Sequence, residues 1–306
     1  MRKNKIIILA IKIVVIIAIT THLLLINSHD SVGSSRGEIP PAYSNLINQL
    51  EKEGFHRDFL INLYSDPRVE FYEQSIYKNI IDNVSSYVSD IYREKVQIYD
   101  IDDFIREYDD YLKAAEERFN VEKETIVAIL FTETKLGKII GKYPVFNVLS
   151  SLAVASEPKN LQKIEHYVNI KYHYYDYDTR QQVIRKLKER AIERSNWAKS
   201  ELVSLLKLHL TTKIDALSLV GSYAGAFGLP QFMPSSMIKY GVDGDNDGDI
   251  DLYSYPDAIM SVANFLSNSG WSKHHVNKRR ALLRYNYSSR YVRRVLNLAS
   301  LLNKRY

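Results

Sequence analysis

The sequence has 306 residues, of which 45% are hydrophobic and 25% charged, a composition typical of a globular protein with one large domain or two smaller ones. Its formal net charge of +5 would suit an anionic polymer, but basic residues spread along a chain are more often solvated surface, and no nucleic-acid partner is expected. Cysteine is absent, which excludes disulfides, thiolate metal ligands, cysteine nucleophiles and a lipid anchor on an N-terminal cysteine.

The N-terminal segment, MRKNKIIILAIKIVVIIAITTHLLLIN, combines a basic start with an apolar run from Ile6 to Ile26. A run of about twenty residues can cross a bilayer, and its positive end would stay in the cytoplasm. We find no convincing cleavage site before Ser28. Residues 1–27 are therefore predicted to be a signal anchor that holds an extracytoplasmic domain at the membrane. Cleavage, giving a secreted or periplasmic protein, is the alternative, because Lys12 and later polar residues weaken the span.

Residues 28–42 are rich in Gly, Ser and Pro and have no periodic apolar pattern, which predicts a linker. From Tyr43 onward, apolar residues recur at helical spacing, so residues 43–306 are predicted to form a mainly α-helical domain. Helical blocks are expected up to Asn120, from Val121 to about Ala155, and from about Arg180 to Leu210.

A tyrosine-dense segment, HYVNIKYHYYDYD, separates the last two helical blocks. Aromatic rings stack on sugar faces, so this segment could be a carbohydrate-binding surface. Tyrosine is abundant throughout the chain, however, with 23 residues in all. Compositional bias is the stronger explanation, and we assign the segment no function.

The stretch ILFTETKLG places Glu133 within an apolar helix. Asn120 is predicted to cap the start of this helix at Val121, and Gly137 is a plausible stop at its end. At helical spacing, Glu133 shares a face with three apolar residues, Ile126, Ile129 and Leu130. Its carboxyl group is therefore expected to point inward or into a cleft.

A carboxyl group that is removed from water has a raised pKa and can hold a proton near neutral pH. Such a group can act as a general acid that donates its proton to a leaving-group oxygen, as glycoside cleavage requires. The alternative is a glutamate that faces solvent or pairs with Lys135 or Lys138. Spacing alone favours that alternative, so a catalytic role for Glu133 depends on the motifs around it.

Four motifs follow one another along the chain: ETKLG at 133–137, SYAGAFGLPQFMPSS at 222–236, VDGDNDGDI at 242–250 and LLRYNYSSRYVRRVL at 282–296. Together they resemble the membrane-bound lytic murein transglycosylase B family, glycoside hydrolase family 103, over about residues 43–301. The second motif, which together with Gly221 forms a glycine-rich block (residues 221–236), is long enough to make chance a poor explanation. The resemblance implies a lysozyme-like helical domain with added helical segments and an EF-hand-like calcium loop, acting on peptidoglycan glycan strands.

In that family, the glutamate at the position of Glu133 is the single acid and base. It protonates the glycosidic oxygen between N-acetylmuramic acid and N-acetylglucosamine, then takes the proton of the muramic acid 6-hydroxyl as this oxygen attacks C1 and closes a 1,6-anhydro ring. The implied activity is that of a lytic transglycosylase, a carbon-oxygen lyase that needs no cofactor for catalysis. A hydrolytic muramidase and an inactive wall-binding module are the alternatives.

The glycine-rich block would contribute several substrate-binding residues. Three glycines, Gly221, Gly225 and Gly228, allow the backbone to approach a ligand closely. By the resemblance, Ser222 and Gln231 would hydrogen-bond acetamido groups or place the catalytic carboxyl group. Phe232 would form an apolar wall of the cleft, unless it is ordinary core.

The C-terminal motif would contribute the remaining site residues. Tyr285 and Asn286 match the family's tyrosine-asparagine pair beside the catalytic glutamate, and Tyr291 matches a further cleft aromatic. Asn286 would hold the acetamido group that shields the positive centre during cleavage.

The segment DGDNDGDIDLYS, residues 243–254, has the spacing of a calcium loop. Acids occupy five alternate positions, Asp243, Asp245, Asp247, Asp249 and Asp251. Gly248 permits the sharp turn, but Ser254 stands where a bidentate acid is expected, which predicts a lower affinity. A structural calcium ion is the favoured interpretation, and a solvated acidic turn before a helix capped by Asp257 is the alternative.

The chain departs from the family pattern between Ala155 and Gly221, where it is longer than expected. The family's paired arginines ahead of an aromatic residue are not intact here. A loose alignment places Arg194 and Trp197 near those cleft positions, with Glu193 in place of one arginine. An extra helical segment or altered recognition of the peptide stem would follow, and we assign neither residue to the site.

Overall fold

The computed structural model describes residues 37–81 and 98–305. Within these ranges the chain forms thirteen α-helices and one antiparallel sheet of two short strands, β1 (Tyr143–Pro144) and β2 (Val220–Gly221). The helices are α1 (Ser44–Lys52), α2 (Arg57–Tyr64), α3 (Glu73–Ile76), α4 (Ile98–Glu107), α5 (Asp109–Phe119), α6 (Lys123–Thr134), α7 (Val145–Ala153), α8 (Pro158–Lys171), α9 (Tyr177–Thr211), α10 (Pro234–Tyr240), α11 (Tyr255–Asn268), α12 (His275–Tyr285) and α13 (Ser289–Asn303).

The centre of the core is α7, whose residues are all buried. Its sequence, VFNVLSSLA, is apolar except for an asparagine and two serines, so burial requires partners for these polar groups. Ser150 shares a hydrogen bond of 3.0 Å with the hydroxyl of Tyr64, and Ser151 shares one of 2.8 Å with the hydroxyl of Tyr43. These contacts tie the first helices of the domain to its centre.

The longest helix, α9, has 35 residues and is therefore about 50 Å long. It begins where Asp176 caps it by accepting a hydrogen bond of 2.8 Å from the backbone N–H of Thr179. Its C-terminal half packs against α7 and α10. Among its residues up to Arg190 only Ile184 is buried, and α8 lies beside them, where Lys188 pairs with Glu165. The extra length predicted between Ala155 and Gly221 is thus a helical hairpin of α8 and α9.

The described part of the chain begins at residue 37 and soon reaches its first helical turn. Residues Pro41–Tyr43 form a single 3₁₀ turn, and Tyr43 is completely buried. No helix within residues 37–81 and 98–305 is long and apolar enough to span a bilayer. The predicted signal anchor, residues 1–27, and most of the predicted linker lie outside the described residues.

The predicted cap of the Glu133 helix is wrong. Asn120 has a left-handed backbone (φ 53°) and ends α5, where its N–H donates to the carbonyl of Glu116. Asparagine tolerates this conformation better than most residues, so it suits a helix end as well as a helix start. Helix α6 begins at Lys123, after Glu122, whose carboxylate accepts hydrogen bonds from Trp271 and Lys278 rather than capping its own helix.

The contacts of the Glu122 carboxylate position the first turn of α6. Glu122 accepts a hydrogen bond of 2.8 Å from the indole N–H of Trp271 and pairs with Lys278 at 2.6 Å. Burial raises the pKa of the Glu122 carboxyl group, but the bonds from Lys278 and Trp271 outweigh this effect and hold the pKa below its ordinary value. The charged carboxylate therefore connects α6 to the loop before α12 and to α12 itself.

Candidate active site

Helix α6 carries Glu133 close to its C-terminal end and is buried on almost every side. It packs against α5, α11 and α13. The residues from Thr125 to Phe131 are all buried, whereas Glu133 is partly exposed. The predicted apolar surroundings of Glu133 are present, but they encircle the helix instead of forming one stripe. Glu133 and its neighbour Thr132 are the partly exposed residues in the second half of α6.

Burial raises the pKa of the Glu133 carboxyl group to about 7. A smaller opposing effect comes from the Tyr291 hydroxyl, which lowers this pKa. That hydroxyl is itself buried and makes no well-formed hydrogen bond with the described residues, so its contact with Glu133 is a loose one. Near neutral pH, a large fraction of Glu133 is therefore protonated.

The two lysines that offered a non-catalytic explanation for Glu133 lie elsewhere. Lys138 pairs with Asp100 at 2.6 Å. The ammonium group of Lys135 lies 4.4 Å from the centroid of the Phe131 ring. No ion pair involving Glu133 occurs among the residues that the structure describes, which is consistent with its raised pKa.

The backbone immediately after α6 is strained. Three successive residues have positive φ: Lys135 and Leu136 at 54° and Gly137 at 82°. For each non-glycine residue this conformation costs about 1–2 kcal/mol. The helix ends at Thr134, three residues before the glycine that was expected to stop it. Strain of this kind persists where surrounding contacts hold it, and here the Tyr255 hydroxyl donates to the Leu136 carbonyl at 2.9 Å.

The glycine-rich block forms a compact loop that leads away from β2. The Ser222 hydroxyl oxygen accepts hydrogen bonds from the N–H groups of Ala224 (3.3 Å) and Ala226 (3.1 Å). Ser222 therefore holds its own loop together, and its hydroxyl hydrogen remains available to an external acceptor. A second bond, 3.0 Å from the Thr134 hydroxyl to the Leu229 carbonyl, attaches this loop to the end of α6.

Gln231 connects the same loop to the segment before β1. Its side-chain N–H₂ donates to the carbonyls of Ile140 (3.1 Å) and Gly228 (2.9 Å). Both amide hydrogens are therefore used inside the protein, and the side-chain oxygen is left to accept a hydrogen bond. Its backbone is left-handed (φ 49°), a conformation that the sequence did not indicate for a glutamine.

Aromatic side chains close the site on the side of α12 and α13. Tyr285 and Tyr291 stack with nearly parallel rings, 6.1 Å apart, and the negative charge of Glu133 raises both pKa values in addition to burial. The Tyr285 hydroxyl donates to the Pro230 carbonyl at 2.6 Å. These two predicted residues thus lie together beside Glu133, as the C-terminal motif implied.

The other two predicted residues of this region differ in exposure. Phe232 is only 2% exposed and packs against Phe265 and Tyr285, a placement that favours core packing over a wall of the cleft. Asn286 follows Tyr285 at the end of α12 and is exposed. Its side chain makes no hydrogen bond with the described part of the chain and is free to bind a ligand.

The acidic loop, residues 243–254, brings three of its five acidic side chains together. Carboxylate oxygens of Asp243, Asp245 and Asp247 lie within 4.8 Å of one another, a separation that one cation could bridge. Asp249 instead pairs with Lys213, and the Asp251 carboxylate accepts the N–H of Tyr253 at 2.9 Å. The left-handed backbone at Gly248 (φ 92°) provides the predicted sharp turn.

The Asp257 carboxylate binds backbone N–H groups of the acidic loop, a role that the sequence did not indicate. Asp257 is only 2% exposed, and it accepts hydrogen bonds from the N–H groups of Gly244 (2.7 Å) and Asp251 (2.6 Å). Burial raises the pKa of its carboxyl group. It therefore joins the two ends of the loop from inside α11. Asp257 does not cap α11, as the alternative interpretation of the loop expected, because Ser254 is the residue that precedes the helix.

Backbone and tyrosine contacts attach the acidic loop to the site. The N–H of Leu229 donates to the carbonyl of Leu252 at 2.8 Å, and the Tyr253 hydroxyl donates to the carbonyl of Val220 at 2.6 Å. Tyr255, the first residue of α11, follows the loop directly and bonds to Leu136 in the strained turn after α6. No sequence signal predicted the roles of Tyr253 and Tyr255.

An open groove of about 560 Å³ runs along α9. Its lining residues are Lys186, Glu189, Arg190, Glu193, Arg194 and Trp197. The guanidinium group of Arg194 lies 5.2 Å from the Trp197 ring. Burial and the neighbouring Arg194 charge lower the pKa of Arg190, which is also within electrostatic reach of Tyr223 in the glycine-rich block. Arg190 was missed in the sequence, although its spacing of four residues from Arg194 places both on one helix face.

The sequence of this chain matches a known protein family and a curated relative. A protein-family model described as the transglycosylase SLT domain matches residues 40–280 of this chain. The membrane-bound lytic murein transglycosylase B of Escherichia coli (strain K12) is 32% identical over 170 residues, which make up 56% of this chain and 37% of that protein. The aligned region thus spans little more than a third of this curated relative.

Solved structures give the same fold. The soluble lytic transglycosylase SltB1 from Pseudomonas aeruginosa matches with a TM-score of 0.64 and 26% identity, over 85% of this chain and 97% of that one. The Escherichia coli lytic transglycosylase Slt35, solved in complex with calcium, matches with a TM-score of 0.63 and 21% identity, over 89% and 96%. The predicted mainly α-helical, lysozyme-like fold is confirmed. Because the family model covers most of the chain, this protein belongs to the transglycosylase SLT domain family.

Proposed function

We propose that this protein is a lytic transglycosylase that cleaves the β-1,4 bond between N-acetylmuramic acid and N-acetylglucosamine in peptidoglycan. The observation that carries the proposal is the partly exposed Glu133 carboxyl group, whose pKa burial raises to about 7 at the end of a buried helix. The family membership and the names of its relatives support the substrate class.

In the proposed reaction, Glu133 is first an acid and then a base. Its proton passes to the glycosidic oxygen as the bond from that oxygen to C1 of the muramic acid breaks. The resulting carboxylate then takes the proton of the muramic acid 6-hydroxyl, whose oxygen forms the new bond to C1. The product is a 1,6-anhydro ring, no water is consumed, and Glu133 recovers its proton. An intramolecular attack of this kind needs one carboxyl group where ordinary glycosidases use two.

Polar groups of the glycine-rich block and of the end of α12 suit an N-acetylated sugar. The Gln231 side-chain oxygen can accept the N–H of an acetamido group, because both of its amide hydrogens are used internally. The Ser222 hydroxyl can donate to an acetamido carbonyl, because its oxygen already accepts two backbone N–H groups. The exposed Asn286 amide can hold the acetamido group that shields C1.

We place the catalytic domain outside the cytoplasm, where its substrate lies. The relative in Escherichia coli is described as membrane-bound. The basic and apolar start of this sequence supports an N-terminal signal anchor. The glycan strand and the membrane are therefore the partners that we propose.

Digestion of purified peptidoglycan tests the activity. The full-length chain should release soluble muropeptides in proportion to time and enzyme concentration. Absence of release from several peptidoglycan preparations, by a protein with a normal helical spectrum and cooperative unfolding, would refute the proposed function.

The pH profile tests the state of Glu133. The value of kcat/KM should fall above pH about 7, because the general acid loses its proton. Since the Tyr291 hydroxyl lowers this pKa, Tyr291→Phe should move the alkaline limb to higher pH. A limb that stays in place or moves to lower pH would show that Tyr291 does not stabilise the Glu133 carboxylate.

We further propose that the acidic loop binds a structural calcium ion. Asp243, Asp245 and Asp247 would supply ligands, and the convergence of their oxygens supports this. The related Slt35 was solved in complex with calcium. The ion would neutralise carboxylates that otherwise repel one another, so it would stabilise the loop rather than take part in the reaction.

Calcium should therefore raise the melting temperature of the wild-type protein by several degrees, and chelation should reverse the change. Asp245→Asn, which retains the size of the side chain, should reduce this response. Lys304→Gln, a charge change at an exposed position far along the sequence, is the control. Equal calcium responses in all three proteins would refute the site.

A further inference from the structure

Tyr287 is the most exposed of the large hydrophobic residues, at 94%. It lies in the connection of residues 286–288 between α12 and α13. Its ring contacts no other aromatic ring, and its hydroxyl makes no hydrogen bond within the described residues. A bare aromatic side chain in so short a connection is not explained by packing.

The backbone that carries Tyr287 is fixed on both sides. The N–H of Asn286 donates to the Leu282 carbonyl at 2.9 Å and closes α12. The N–H of Ser288 donates to the Asn286 carbonyl at 2.7 Å, and the Ser288 hydroxyl caps α13 by accepting the N–H of Tyr291 at 3.3 Å. The ring is therefore presented on an ordered turn, so that binding to it requires little ordering of the chain.

Chain geometry places Tyr287 close to the reaction centre. It follows Tyr285 by two residues and precedes Tyr291 by four. At about 3.6 Å per residue, its Cα lies within roughly 7 Å of one Cα and roughly 14 Å of the other. Both of these tyrosines are within electrostatic reach of Glu133. The Tyr287 backbone therefore lies near the two tyrosines that are beside Glu133.

The chemistry of a free tyrosine ring suits a pyranose. The face of the ring packs against the C–H groups of a sugar, and its hydroxyl can hydrogen-bond the sugar's polar edge. We propose that Tyr287 is a stacking platform that binds an N-acetylated sugar unit of the glycan strand next to the cleavage site. This inference rests on the proposed function, because it takes the glycan as the ligand.

The test measures binding separately from turnover. A neutral N-acetylglucosamine hexamer would be titrated into the full-length Glu133→Gln protein, with and without Tyr287→Ala. Loss of the ring should weaken binding about tenfold. Tyr287→Phe should retain the affinity and Tyr287→Trp should match or exceed it, because the face of the ring is what binds. Salt should not change these ratios, since the ligand is neutral.

Tyr177→Ala is the matched control, because Tyr177 is 66% exposed at the remote start of α9 and makes no aromatic ring contact. It should bind as the parent does. With Glu133 intact, Tyr287→Ala should raise KM for long glycan strands while kcat changes little. Equal affinity of Tyr287→Ala and its parent would overturn the inference. A wild-type protein that binds the hexamer through Tyr287 but releases nothing from peptidoglycan would instead refute the proposed function alone.

Discussion

Glu133→Gln is expected to reduce the turnover of peptidoglycan roughly a thousandfold, the size of effect that loss of a general acid and base produces. Glutamine has nearly the same shape but neither donates nor removes a proton at neutral pH. The helix that carries it should keep its packing, because the buried residues from Thr125 to Phe131 are unchanged. Initial rates of muropeptide release, measured at equal protein concentration, give the comparison.

Glu116→Gln is the matched control, because burial also raises the pKa of this glutamate on the neighbouring α5. It should retain activity.

Folding of the Glu133→Gln protein can be checked through its stability. A carboxyl group whose pKa is higher in the folded state weakens the fold as pH rises from about 4.5 to about 7. The variant should therefore melt at a higher temperature than wild type at pH 8 and at a similar temperature near pH 4. Full activity of Glu133→Gln would remove Glu133 from the mechanism.

Gly221→Ala is expected to destabilise the protein by roughly 3 kcal/mol and to abolish most of the activity. A Cβ atom at this position would lie 2.0 Å from the Ala226 carbonyl oxygen. The same carbonyl accepts the N–H of Ser222 at 2.8 Å, and Gly221 itself pairs with Tyr143 in the two-stranded sheet. Neither backbone segment can move without breaking these contacts. Chemical denaturation gives the change in the free energy of unfolding.

Gly54→Ala is the control that separates a steric clash of the added Cβ atom from the general preference for glycine at positive φ. Gly54 has a positive φ of 100°, but no atom lies within 4 Å of the added Cβ. Its substitution should cost about 1 kcal/mol and leave activity unchanged. If Gly221→Ala were no more harmful than Gly54→Ala, the close backbone approach in the glycine-rich block would not hold the site together.

Much of the fold and of the candidate site could be predicted because the relevant signals are local. Helical spacing of apolar residues predicted the class, and the largely apolar sequence of α7 agrees with its burial on all sides. Glu133 could be recognised because a carboxyl group in an apolar helix is rare, and because the glycine-rich block follows in family order. Tyr285 and Tyr291 depended on the resemblance alone.

The remainder depended on contacts between distant parts of the chain. Asn120 fits a helix start and a helix end equally well, and only the packing of α5 against α6 decides between them. The strained turn at Lys135 and Leu136 is held by Tyr255, 119 residues away from Leu136 in the sequence. The internal use of both Gln231 amide hydrogens depends on Ile140 in the same way. Spacing and composition carry no information about such pairings.

The most direct test of the central claim is mass spectrometry of the products formed in ¹⁸O-labelled water. The full-length protein would be incubated with purified peptidoglycan, and the ends of the soluble fragments identified. The proposed reaction predicts fragments that end in 1,6-anhydromuramic acid and contain no ¹⁸O, because the attacking oxygen comes from the sugar. Reducing ends that carry one ¹⁸O atom would show that water is the nucleophile and would contradict the proposed reaction.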